Sequence, residues 1–279
     1  MPIHDQSYRR YGGQRDTPGR AWAVIAWAGI TSMVKKRAFI GLLIFAWIPF
    51  IVRAVQIYIA ANFPQATMLA PSAETFREFI DQQGVFGFFV TIWAGAGLIA
   101  NDRRANALQI YLSKPLMRIE YIAGKLAVLI VFLLAVTWVP GILLLLLQVA
   151  FAGSFTFLRA NLFLFPAITL ASLVQVLLFS FTMLALSSLS NSARYVAVLY
   201  AGAVFFTQAL YGALMAITGS TAVSWISFTA NLAQVIDVIF RMKPRYDTPW
   251  AVSLLVIVGL VAVSTSVLER RVRGVEVVT

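Results

Sequence analysis

The sequence predicts an all-α integral membrane protein with six transmembrane helices. Of its 279 residues, 60% are hydrophobic and 12% charged, with a mean hydropathy of +0.83. A soluble domain of this length could not bury that much apolar surface. The apolar residues also fall into runs of about 20, the length that crosses roughly 30 Å of hydrocarbon, separated by short polar segments. Three shorter helices accompany the spans: an N-terminal interfacial helix, a cytoplasmic helix between spans 2 and 3, and an outer-surface helix between spans 5 and 6.

In chain order, residues 1–20 are polar and rich in Arg and Gly, the composition of a cytoplasmic tail. Residues 21–279 then form one transmembrane domain. Ala21 to Val34 is apolar but reaches only about 21 Å as a helix, so it is expected to lie on the inner surface. Lys35, Lys36 and Arg37 follow it where a signal peptide would need small residues, which excludes a cleaved leader. The first span is expected at 39–61, with Pro49 inside. Arg53, deep in this span, either snorkels to the outer face or, with Gln56, lines a polar transport route. Residues 62–83 are expected as an outside loop containing one short helix.

The second span, 84–100, carries Gly84, Gly87, Gly95 and Gly97, small residues that let helices approach closely. The third, 126–149, contains Pro140-Gly141, a kink whose freed carbonyl would face a cavity or a neighbouring helix. The fourth, 162–189, holds Gln175, Ser180 and Thr182, hydroxyls in spans usually bonding back to their own helix. The fifth spans 195–218. From Ser224 to Phe240, Trp225, Phe228, Leu232, Val235, Ile236 and Ile239 recur with helical period, while Ser227, Asn231, Gln234 and Asp237 fall on the opposite side. This predicts a helix lying on the outer surface or re-entering the membrane. The sixth span is expected at 250–268.

With both termini in the cytoplasm, 16 of the 22 Lys and Arg lie inside, which sets the orientation. Arg241, Lys243 and Arg245 break that rule locally and are expected on lipid headgroups or substrate. The net charge of +11 is that of inner loops facing anionic lipid, so membrane lipids are expected partners and nucleic acid is not. Absence of Cys excludes disulfides and thiolate metal sites. With His4 as the single histidine, a His-based metal site or relay is not expected either.

Between spans 2 and 3 lies a basic island, Asn101 to Lys125. Asn101 or Asp102 is placed to cap a helix on which Ala105, Leu108, Tyr111 and Leu112 share one face, ending before Pro115. Arg103 and Arg104 would then sit in its first turn, where the macrodipole disfavours cations. Either they hold lipid phosphates, or the helix presents an apolar and basic face to a soluble partner. Glu120 is expected as an interfacial anchor or as a partner for Arg118 or Lys125.

The run G-L-I-A-N-D-R-R from Gly97, A-L-Q-I-Y-L-S-K-P-L from Ala107 and R-I-E-Y-I-A-G-K from Arg118 resembles the segment after the second span of ABC-2 type transporter permeases. The resemblance implies a cytoplasmic coupling helix over 102–114 that docks on an ATP-binding cassette subunit through Asp102, Arg103, Arg104, Leu108, Tyr111, Leu112, Ser113 and Lys114, ended by Pro115. It further implies a pair of permeases, homodimeric or heterodimeric with a related chain, with two separate ATPases that carry the ATP and Mg. Export across a bacterial or archaeal cytoplasmic membrane follows by the same analogy. Arg53, Gln56, Pro140 and Gln175 are the candidates for a translocation path or gate. The chain has no phosphate-binding loop, since Gly124-Lys125 lacks the glycine loop before it, and no deep carboxylate pair. It is therefore not expected to be an enzyme by itself. Two other functions fit the sequence: a subunit passing ATPase motion to an envelope complex without moving solute, and a passive channel or carrier.

Overall fold

The computed structural model describes residues 20–63, 71–107, 117–151, 159 and 161–272, and every regular element among them is helical. The elements are α1 (Ala21–Val34), α2 (Arg37–Ala46), α3 (Ile48–Asn62), α4 (Ala73–Gly95), α5 (Ala100–Arg104), α6 (Arg118–Val136), α7 (Trp138–Phe151), α8 (Leu164–Leu189), α9 (Ala193–Thr218), a 3-10 helix (Thr221–Ile226), α10 (Phe228–Ile239) and α11 (Trp250–Arg271). Six stretches are long and apolar enough to cross a membrane: Arg37–Asn62, Ala73–Arg104, Arg118–Phe151, Leu164–Leu189, Ala193–Thr218 and Trp250–Arg271. The chain is a multi-pass membrane protein.

The first three spans are interrupted helices. In the first, Trp47 separates α2 from α3, whose opening turn contains Pro49. Gln83 of α4 seals this break by donating to the Ala46 carbonyl at 3.1 Å. In the second, residues 96–99 form a turn between α4 and α5. Ser187 of α8 closes it: its hydroxyl accepts from the amides of Ile99 and Ala100, each at 3.1 Å, and donates to the Ala96 carbonyl at 2.9 Å. The third breaks at Thr137, whose hydroxyl donates to the Leu133 carbonyl at 2.8 Å. Pro140, three residues on, is buried in the first turn of α7. The proline kink lies where its missing amide requires it.

Close packing is set by glycines. A Cβ on Gly124 would come within 2.8 Å of the Trp22 carbonyl oxygen and of Ile25, so α6 bears directly on α1. Gly95 lies against Met183 and Leu129, and Gly87 against Phe179. The small residues of the second span thus pack within the chain, on α6 and α8. Val90, Ala94, Leu129, Leu133, Ile168, Ala171 and Met183 form the centre of the core.

Several expectations change. Residues 73–83 are not a separate loop helix but the first turns of α4, because Ser72 and Thr75 form a capping box there and the apolar pattern continues without a break. The helix expected to run unbroken from Asp102 to Lys114 ends at Arg104; Asn106 has φ 53°, the left-handed region that stops a helix and that Asn tolerates. Ile99 rather than Asn101 or Asp102 occupies the capping position. The segment 224–240 is divided into the 3-10 helix and α10, with Ser227 capping α10 through the Ala230 amide. The polar side of α10 does not face water: Asn231, Gln234 and Asp237 are all buried. The tail over residues 1–19, part of the first outside connection (64–70), residues 108–114 of the proposed coupling helix with Pro115, and Arg273 lie outside the described residues.

Ser187 provides the clearest test of these joints. Ser187→Ala leaves three main-chain groups without partners in the interior, so it is expected to destabilise the protein by about 2 kcal/mol or more, against little change for Ser190→Ala at the exposed turn. Thermal unfolding of the purified protein in detergent measures the difference.

Candidate functional site

Among the described residues, several of those singled out by the sequence gather at the two ends of the span Ala73–Arg104. At its α5 end, Asp102 does not cap a helix. It accepts from the Tyr121 hydroxyl at 2.7 Å and pairs with Lys125 at 2.7 Å, both on α6. Lys125 also lies 5.4 Å from the centre of the Tyr121 ring. Arg103 donates to the Ser188 carbonyl at the end of α8. Arg103 and Arg104 therefore close a short helix instead of opening a long one, the end at which the backbone dipole favours cations. Arg104 and Ala105 are exposed. Glu120 partners neither Arg118 nor Lys125 in this arrangement; it accepts from the Met117 amide at 3.3 Å and so caps α6.

The α4 end carries a charge cluster that the sequence assigned elsewhere. Arg77 pairs with Asp237 of α10 at 2.8 Å and with Asp81, one turn along, at 3.6 Å. Arg245 pairs with Asp81 at 2.6 Å and Asp237 at 2.9 Å. Its backbone amide donates to Asp237 as well, at 3.2 Å. Two cations and two carboxylates thus cancel, and the Asp237 side chain is 0% exposed. Burial alone would lower the Arg245 pKa, but the bonds and charges of Asp237 and Asp81 outweigh it and raise it above the ordinary value. Gln234 extends the network, donating to the carbonyls of Tyr246 at 3.0 Å and Thr248 at 2.6 Å. Of the three cations expected on lipid or substrate, Arg245 is thus paired within the protein with 31% of its side chain exposed, and Arg241 lies over the Phe163 ring at 4.7 Å.

Arg53 donates to Gln56 at 3.1 Å and pairs with Glu78 of α4 at 2.9 Å, with 14% of its side chain exposed. It ties α3 to α4 rather than snorkelling.

Below the cluster is a cavity of about 390 Å³ bounded by α4, α8, α9 and α10. Asp81, Arg245 and Tyr246 form one end, and Phe88, Phe179, Phe205 and Phe228 contribute much of the wall. Gln175 also lines it, 1% exposed, with neither amide atom bonded. A second, more apolar cavity of about 570 Å³ lies between α8, α9 and α11. Of the four candidates for a path, Gln175 alone lines the first cavity; Arg53, Gln56 and Pro140 border neither.

The charge cluster was detectable in part. The polar stripe Asn231, Gln234, Asp237 was visible at spacings of three, but nothing local distinguishes a stripe facing water from one facing another protein segment. Asp237→Asn is expected to cost roughly 3–5 kcal/mol, because it leaves two arginines short of a buried counter-charge. Asp247→Asn, at an exposed site bonded to Thr221, is expected to cost under about 1 kcal/mol; paired thermal or denaturant unfolding curves separate them. The chain matches no protein-family model and no curated protein.

Proposed function

We propose that this chain is the membrane subunit of an ABC-2 type transporter, an exporter driven by a separate ATP-binding cassette protein. The observation that carries the reading is the anchoring of the segment around Asp102. Through Asp102 it is held to α6, through Ser187 and Arg103 to the end of α8, and it continues α4 by way of the sealed turn at 96–99. A force applied just beyond Arg104 reaches three spans at once. The local sequence resemblance over Gly97–Lys125 supports the same reading.

In this account the segment from Asp102 to Lys114 couples the chain to the ATPase: Leu108, Tyr111, Leu112 and Ser113 meet it ahead of Pro115, and the exposed Arg104 steers an acidic rim. Closure of the ATPases on ATP and Mg, which they and not this chain bind, pushes on the segment. Asp102 passes the push to α6, and the break at Thr137 with Pro140 lets α6 tilt against α7. The transported molecule passes near Gln175. The chain works as a pair, with itself or a related permease, in a bacterial or archaeal cytoplasmic membrane, both termini inside. α1 lies along the inner surface, and the 3-10 helix with α10 lies at the outer side.

Two variants test the docking and the transmission separately. Leu108→Asp combined with Tyr111→Asp is expected to abolish association with the ATPase. Asp102→Asn is expected to preserve association and to lower ATP hydrolysis stimulated by the complex about tenfold, the scale of one charged hydrogen bond. Normal stimulated hydrolysis in the double variant would contradict the proposal.

A further inference from the structure

Gln175 is an anomaly. A side-chain amide holds two donors and accepting lone pairs, and burying one without partners is destabilising. Among the described residues Ser187, Gln234 and Asp237 each make two or more bonds, and the buried hydroxyls of Ser172, Ser180, Tyr200 and Ser253 each leave one atom unpaired, whereas Gln175 leaves two. Gln175, at 1% exposure, makes none from either atom. Its amide nitrogen sits 3.2 Å from where a Gly84 Cβ would be, and 3.5 Å from that of Gly87. Two glycines on α4 therefore make the space in which the amide itself lies, in the wall of the 390 Å³ cavity.

The charged groups around this cavity, and the Gln208 carbonyl oxygen, are already engaged. Asp81 and Arg245 pair with each other, and Gln208 accepts from Ser227 at 2.6 Å and Thr229 at 2.8 Å. Among the described lining residues, Gln175 is the amide with both its nitrogen and its oxygen unbonded. The volume lies in the range of small-molecule sites, which pair apolar walls with few convergent polar groups. Val85, Phe89 and Phe205 line the cavity and are also exposed on the flanks of the spans α4 and α9. The mouth thus opens sideways, between two helices long enough to cross a membrane. An ion would pay heavily for leaving water with no counter-charge left to meet it, since the charges at the end of the cavity cancel.

We infer that this cavity is a binding site for a neutral, largely apolar small molecule with one amide-type group, which enters from the lipid side and exchanges hydrogen bonds with Gln175. Aromatic walls hold its body, and the Gln175 amide, turned from α4 into the cavity by rotation of its side chain, both donates to its carbonyl and accepts from its N–H. This inference stands on the cavity alone and does not depend on an ATPase.

The test uses the purified full-length chain in phosphatidylcholine nanodiscs, with empty nanodiscs measuring partition into lipid. The probes are tritiated benzanilide, two phenyl rings joined by an amide, and tritiated trans-stilbene, which has the same outline without donor or acceptor. Benzanilide is expected to bind saturably, one per chain, about tenfold more tightly than stilbene. Gln175→Leu is expected to lose that preference while still binding stilbene, and to raise the Tm of the ligand-free protein by removing an unsatisfied amide. Ala233→Phe, which fills the cavity from α10, is expected to remove saturable binding of both probes. Absence of saturable binding to the wild type, an unchanged preference in Gln175→Leu, or undiminished binding in Ala233→Phe would overturn the inference. A fall in Tm on Gln175→Leu would overturn it too, by making the amide a structural group. Because no ATPase or transport is measured, none of these outcomes bears on the permease proposal.

Discussion

Hydrocarbon offers no hydrogen bonds, so a helix that breaks within a span must have its freed amides and carbonyls satisfied by the protein itself. The architecture of this chain follows from that requirement. Its first three spans all break, and a side chain lies at each break: Gln83 bonds to Ala46 at the first, Ser187 to residues 96–100 at the second, and Thr137 to Leu133 at the third. Two of the three side chains come from a different helix. Each break is therefore also a joint between helices, and α4 and α8, which supply those side chains, cannot shift far without exposing main-chain groups.

The same logic places the charges. Arg77 and Asp81 occupy the first turns of α4, and Asp102 the short helix that follows its other end. Each end finds partners in other elements: α10 and the segment before α11 for the first, α6 and α8 for the second. The span Ala73–Arg104 is thus gripped at both ends by bonds that are strong when paired and costly when broken. A displacement at Asp102 cannot be absorbed locally and travels with the helices it is tied to. That is the physical content of the coupling proposal, and it places the Gln175 cavity beside a helix held at both ends.

The six spans were legible because hydropathy integrates over many residues and no local detail alters the sum. The fifth span ends at Gly219, whose φ of 66° lies in the left-handed region that favours glycine. Tertiary contacts escaped the sequence. Asp102 reads as a cap until Tyr121 and Lys125 arrive from 19 and 23 residues away; Asp237 reads as solvated until Arg77 arrives from the far side of the chain. Arg53 with Gln56 was visible as a pair one turn apart, but its counter-ion Glu78 lay in a stretch taken for a loop. Gln175 stood out as a polar residue in an apolar span, yet its lack of partners is a property of its surroundings. Buried pairing and its failure depend on neighbours distant in sequence, which periodicity does not record.

The most direct measurement is the mass of the intact assembly released from native membranes in mild detergent. The account predicts two permease chains with two ATP-binding cassette subunits, stable enough to survive purification and held together through the segment from Leu108 to Lys114. Recovery of this chain alone, with no ATPase held even after crosslinking through Lys114, would contradict it and leave that segment as an anchor on lipid phosphates.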